Sequence, residues 1–292
     1  MSFWCQALKV PWHWQFRAYP GVWLMAGLLA FAYFRAVYRR HRRTGAPVDR
    51  RRLLWFCFGW VVLWLASDWP LATLGAGYLA SAHMVQYMLY TLVATPLLLL
   101  GTPEWMARRI TEKLRIYRFL RFVSRPLFAA IAVNAVLLST HAPIVVDNIR
   151  TTQMGGFVLD MIWLVGGLVL WLPLISPLPE LVHPSYPVRM IYIFVAAGVF
   201  AMIPGGFLTF SSFPLYRTYE LAPRIHNFAA LNDQQTAGAI MKVGNIPIVW
   251  TVIAVLFFKW AALDRDGPPV PASRPQTRTQ PRPSEAPQAP PS

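Results

Sequence analysis

The sequence is short of charge, of acid and of cysteine. Only 13% of its 292 residues are Asp, Glu, Lys or Arg, against 56% hydrophobic. That balance, with a mean hydropathy of +0.41, excludes an ordinary soluble domain and reads as a polytopic membrane protein. Two cysteines, Cys5 and Cys57, stand without a C-x-x-C, which excludes a disulfide framework and a thiolate metal cage. There is no G-x-S-x-G, no H-E-x-x-H and no glycine-rich phosphate loop after a strand, so hydrolytic and nucleotide-dependent chemistry has no anchor and no enzyme is expected. No internal repeat supports an inverted-repeat transporter. The N-terminal stretch MSFWCQALKVPWHWQF lacks the charged start and small-residue cleavage site of a secretory signal and is expected to remain in the mature chain.

What is present is apolar runs separated by arginine. Seven runs of roughly spanning length are expected near Gly21–Tyr38, Leu53–Asp68, Tyr78–Gly101, Leu127–His141, Gly156–Ile175, Arg189–Phe210 and Thr236–Trp260. This predicts an all-α, seven-helix membrane domain over 21–262, after a short external segment at 1–20. The proline-rich stretch 263–292 is expected to be a disordered cytoplasmic tail. The net charge of +15 does not imply nucleic acid, because the basic residues sit in short loops. Arg39 to Arg52 follow the first run, Arg108 to Arg125 the third, and Arg265 to Arg282 the last. The alternate loops hold little, which predicts an external N-terminus and a cytoplasmic C-terminus.

Smaller features follow. Pro103 to Val123, with Met106, Ile110, Leu114, Tyr117 and Leu120 at one-stripe spacing, is expected to be an interfacial helix on the cytoplasmic leaflet. Pro96, Pro204 and Pro247 are expected to kink their spans. Trp23, Trp64, Trp69, Trp171 and Trp260 fall near proposed ends, as interfacial tryptophans do.

Ser81 to Gly101 is the stretch with the most chemistry. His83 and Tyr87 are four residues apart and share a helical face, with Met84 and Met88 in a parallel row. An intramembrane imidazole is a functional candidate by default, the alternative being a histidine hydrogen-bonded between helices. On the predicted topology His83, His141, Asp160, Asp68, Met84, Met88, Met154 and Lys242 all lie toward the outer leaflet. Imidazole with thioether suits copper, and imidazole with carboxylate suits Cu(II) or zinc. The candidate metal ligands are therefore His83, His141, Met84, Met88 and Asp160. Two alternatives stand beside this: an Asp160–Lys242 ion pair, and a haem held by His83 and His141.

Four segments resemble the multi-spanning CtaG-type cytochrome c oxidase assembly factors: HMVQYMLYTLVATPLLLLGTP, GLVLWLPLISP, GGFLTFSSFPLYRTYELAPR and LNDQQTAGAIM. The resemblance covers roughly Leu53 to Ala262. It implies a multi-pass protein of the bacterial inner membrane that helps mature a haem–copper oxidase, handles copper for its outward-facing centre, and has oxidase subunits or other assembly factors as partners. The family-like positions are His83, His141, Asp233, Gln234, Gln235, Gly238 and Met241. Tyr87 and Asp160 stand where the family pattern has histidines, so the site either binds metal differently or serves a metal-free scaffold docked through its basic loop. A copper permease is the other alternative. For Asp233-Gln234-Gln235 the residues themselves suggest a cap on the last helix.

Overall fold

The structure is a computed structural model that describes residues 2–8, 10–225 and 227–265. These residues form helices and connecting loops, with no strand among them. Five helices are long and apolar enough to cross a membrane: Pro20–Thr44, Ala80–Gly101, Gln153–Ile175, Tyr186–Phe210 and Ala230–Arg265. Two bent pairs, each counted as one span, raise the number to seven. Arg50–Ser67 joins Leu71–Gly77 at 43°, and Tyr117–Val123 joins Pro126–Thr140 at 86°. In chain order these are the first to seventh spans. Leu28, Phe31, Leu54, Phe58, Phe207, Phe210 and Phe258 are exposed on their outer faces, an arrangement suited to lipid and costly in water. The architecture is the all-α membrane fold expected from the sequence.

Local chemistry explains several of the boundaries. Asp49 accepts from the amides of Arg51 and Arg52 and starts the second span. Thr152 accepts from Gly155 and starts the fifth. Ser185 does the same for the sixth through Val188. Gly45, at φ 65°, closes the first in the left-handed conformation that glycine adopts freely. The helix Leu71–Gly77 was not expected. Its alanines and glycines carry no periodic apolar stripe, yet Ala72 and Ala76 are fully buried.

The prolines act through the turns that precede them. Pro96 has no N–H for the carbonyl one turn back, and the helix before it widens into a π-turn at Leu89–Ala94. There the Thr91 carbonyl accepts from Thr95 Oγ1 at 2.7 Å and from Trp171 Nε1 at 2.8 Å. Trp171 is thus buried between the third and fifth spans, not interfacial as expected. The sixth span has a similar π-turn at Phe194–Val199, ahead of Pro204. The seventh breaks between Val243 and Ile246, ahead of Pro247. Asn245 at that break donates to the Ala197 carbonyl at 2.7 Å, so the break in the seventh span satisfies a carbonyl of the π-turn in the sixth.

The basic stretch differs from the single helix expected. It forms Glu104–Leu114 and Tyr117–Val123, separated by Arg115 at φ 55°. Met106 is buried while Ile110 and Leu114 are exposed. Arg108 bridges Glu104 at 2.7 Å and Glu180 at 2.8 Å. The expected tail starts at Leu263; residues 263–265 continue the last helix, and the remainder lies outside the described residues.

The N-terminal segment is packed, not loose. Trp4, Cys5 and Tyr19 are buried. Ala7 donates to the Thr151 carbonyl at 3.1 Å, and Gly21 to that of Phe3 at 3.0 Å. The segment lies over the end of the bundle where the third and fifth spans begin and the fourth ends.

Candidate functional site

Beneath that segment, four helical elements bring aromatic and ionisable side chains together. The third span begins with His83 and Tyr87 one turn apart. His141 caps the end of the fourth, Trp163 projects from the fifth, and Tyr219 comes from the short helix Arg217–Glu220. The rings form an edge-to-face box. His83 and His141 have centroids 5.3 Å apart and planes at 76°. Trp163 stands 5.0 Å from His83 and stacks at 5.9 Å on His141. Tyr87 stands 4.7 Å from His141, and Tyr219 6.2 Å from His83. Both histidines are buried, at 1% and 4% exposure.

The nitrogen inventory of the two rings sets what they can do. His141 Nδ1 lies 2.9 Å from the Leu137 carbonyl. A carbonyl only accepts, so Nδ1 carries the proton and Nε2 holds a lone pair. That Nε2 is buried with no hydrogen-bond partner, as are both ring nitrogens of His83. A backbone carbonyl that fixes a tautomer is the usual support of a metal-ligating imidazole. A ligating ring has its centroid roughly 3 Å from the ion, given a metal–nitrogen bond of about 2 Å. Two rings on one ion can then be up to roughly 6 Å apart, and 5.3 Å fits. No group of three His, Cys, Asp or Glu that could hold an ion occurs among the described residues. The two imidazoles alone are fewer than the three or four ligands of zinc sites. Imidazole nitrogens by themselves suit zinc, copper, iron or nickel.

The other candidates are placed differently. Asp160 is fully buried and committed. Its Oδ1 accepts from Arg150 at 2.9 Å, and its Oδ2 from Trp4 Nε1 at 2.9 Å. Arg150, also fully buried, donates to Gln86 Oε1 at 2.6 Å and to the Gly156 carbonyl at 3.2 Å. Its guanidinium lies 5.1 Å over the Trp163 ring. The ion pair of Asp160 is therefore with Arg150 and not with Lys242, whose ammonium sits 4.5 Å over Phe210. Met84 is buried in an apolar cluster that includes Tyr87, Trp163 and Met241. Met88 approaches Gly244 at the break of the seventh span, and Met154 is 72% exposed. Asp68 accepts from Trp23 Nε1 at 2.8 Å and Trp64 Nε1 at 3.1 Å.

Asp233 caps a helix, though not its own. It accepts from the Ala80 amide at 2.6 Å and from the Ser81 amide at 3.2 Å, and so caps the third span just ahead of His83. Gln234 pins the preceding loop, accepting from the Leu215 amide and donating to the Phe213 carbonyl. Tyr219 donates to the Gly75 carbonyl at 2.6 Å, and Tyr216 to the His141 carbonyl at 2.9 Å, so this loop closes over the histidine pair.

Sequence reading missed Arg150, Gln86, Trp163 and Tyr219. Arg150 had a usable mark, being a single cation in an otherwise base-poor loop next to an apolar span. Gln86 is polar within the same apolar run as His83.

A family model described as cytochrome c oxidase caa3 assembly factor matches residues 31–262. No curated protein and no solved structure matches the chain.

Proposed function

Since the chain belongs to the cytochrome c oxidase caa3 assembly factor family, we propose that it assists maturation of the oxidase copper centre by holding copper as cargo between His83 and His141. The observation that supports this is a pair of buried imidazoles with ring centroids 5.3 Å apart and three ring nitrogens without a hydrogen-bond partner, since a buried polar atom without a partner is costly unless something else satisfies it. Neutral imidazole is the ligating form, and the carbonyl of Leu137 holds His141 in that tautomer. The chain acts without catalysis, in the bacterial inner membrane, with the N-terminus external and the C-terminus cytoplasmic. That orientation, which rests on the arginine-rich loops, puts the pair on the outward side. Its partners are oxidase subunits or other assembly factors. Met84 and Met88 lie on an adjoining face of the same helix as thioether donors for transfer, and Asp160 supports the site through Arg150 and Trp163.

The test is copper content per chain in detergent-purified protein loaded with Cu(I), beside the double variant H83A/H141A. Near-stoichiometric copper that the variant loses is the expected result. No copper in either protein would defeat this reading. It would favour a second one, a metal-free scaffold docking an oxidase subunit, which the lack of any metal-holding group of three His, Cys, Asp or Glu among the described residues supports.

A further inference from the structure

At the opposite end of the bundle, away from the histidines, the third, fifth, sixth and seventh spans leave a lengthwise groove of 550 Å³. Leu97, Ile175 and Val252 represent its walls; its polar edge is Thr251, Arg189 and Lys259. The charges lie at one end. Arg189 is in the first turn of the helix Tyr186–Ile193, and Lys259 is in the last third of Ile246–Arg265. These two helices pack together, and the later half of the seventh span faces the beginning of the sixth, so both cations reach the same level. No carboxylate lines the groove, and no salt bridge involves Arg189 or Lys259 among the described residues. Arg189 commits its Nε to the His183 carbonyl and stacks 4.7 Å over Tyr186, and has no carboxylate partner among the described residues.

The dimensions match one leaflet. From Ile248 to Lys259 the seventh span rises about 17 Å at roughly 1.5 Å per residue, about half of a hydrocarbon core roughly 30 Å thick. The cationic end lies where the arginine-rich loops lie, the level of a headgroup. We propose that this groove is a binding site for an anionic diacyl phospholipid, with one acyl chain along Leu97, Ile175 and Val252 and its phosphate on Arg189 and Lys259. Basic residues at the rim of an interhelical pocket select acidic headgroups electrostatically, while the apolar walls accept any chain. The selectivity therefore resides in the two cations. This site is independent of the histidine pair.

The experiment is lipid titration of the detergent-purified full chain, followed by native mass spectrometry, with phosphatidylglycerol against phosphatidylcholine of the same chains. Wild type is expected to prefer phosphatidylglycerol by roughly thirtyfold, the contribution of two surface cations. The R189Q/K259Q double variant should lose the preference and still bind both lipids. The T251W variant, whose indole fills the groove from an exposed position, should lose binding of both with an unchanged melting temperature. Equal binding of the two lipids by wild type would overturn the proposal. So would a preference that survives R189Q/K259Q, or unimpaired binding by T251W.

Discussion

Removing the Asp160 carboxylate, as in Asp160→Ala, tests the network that supports the histidine box. Arg150 and Asp160 are both fully buried, with Nη1 and Oδ1 2.9 Å apart. Asp160→Ala takes away the counter-charge and leaves the Trp4 indole N–H without its acceptor. Arg150 keeps Gln86 and one backbone carbonyl, but its charge is then buried and unpaired. Breaking such a pair from one side costs about 3–5 kcal/mol, whereas replacing both partners by apolar groups is often near neutral. The double variant R150M/D160A should therefore recover most of what D160A loses. The assay is unfolding free energy in mixed detergent micelles, followed by tryptophan fluorescence, for wild type, D160A, R150M and the double variant. A coupling of about 2 kcal/mol or more between the two sites is expected. A loss below about 0.5 kcal/mol in D160A, a surface-like value, would refute the idea that this ion pair is a desolvated structural element.

Two further outcomes follow from packing and burial. A Cβ on Gly167 would come 2.7 Å from Thr95 Oγ1 and 2.9 Å from Thr91 Cα. Gly167→Ala should then push the third and fifth spans apart and lower stability by about 1–3 kcal/mol, seen as a reduced melting temperature in detergent, while an unchanged value would mean that these spans slide freely. Burial pushes the Cys5 thiol well above its ordinary range, and the Asp160 charge adds to this. Near neutral pH it is thus fully protonated, and its reactive thiolate form appears only at higher pH than for an ordinary thiol. In a Cys57→Ser background, maleimide at pH 7.5 should leave Cys5 unlabelled until denaturant is added, and labelling of Cys5 in the native protein at an ordinary thiol rate would contradict the buried placement.

The spans were legible because their cause is local. Apolar length, arginine-rich loops and proline positions all act within about twenty residues, and helices such as Gln153–Ile175 differ from expectation by only a few residues at one end. Leu71–Gly77 was not legible, because alanine and glycine give no periodic stripe and the helix exists through burial against the third span. The site divides in the same way. His83 and His141 stand out as ionisable residues at span ends, and the structure places their rings in contact. The partner of Asp160 could not be read, since Lys242 and Arg150 are equally suitable by charge and only tertiary packing chooses between them. Asp233 shows the same limit: its carboxylate suits a helix N-terminus, but the helix it caps is more than 150 positions away in the chain.

The folded-back N-terminal segment imposes an order on biosynthesis. Trp4 and the Asp160 that receives its indole N–H are 156 residues apart. At a synthesis rate of about 5–20 residues per second, Trp4 is made about 8–30 s before its acceptor. During that interval its binding place in the fifth span does not yet exist, and neither does Thr151, which receives Ala7. The segment thus waits for the fifth span, and it takes its place only after the helices that carry His83 and His141 have been synthesised.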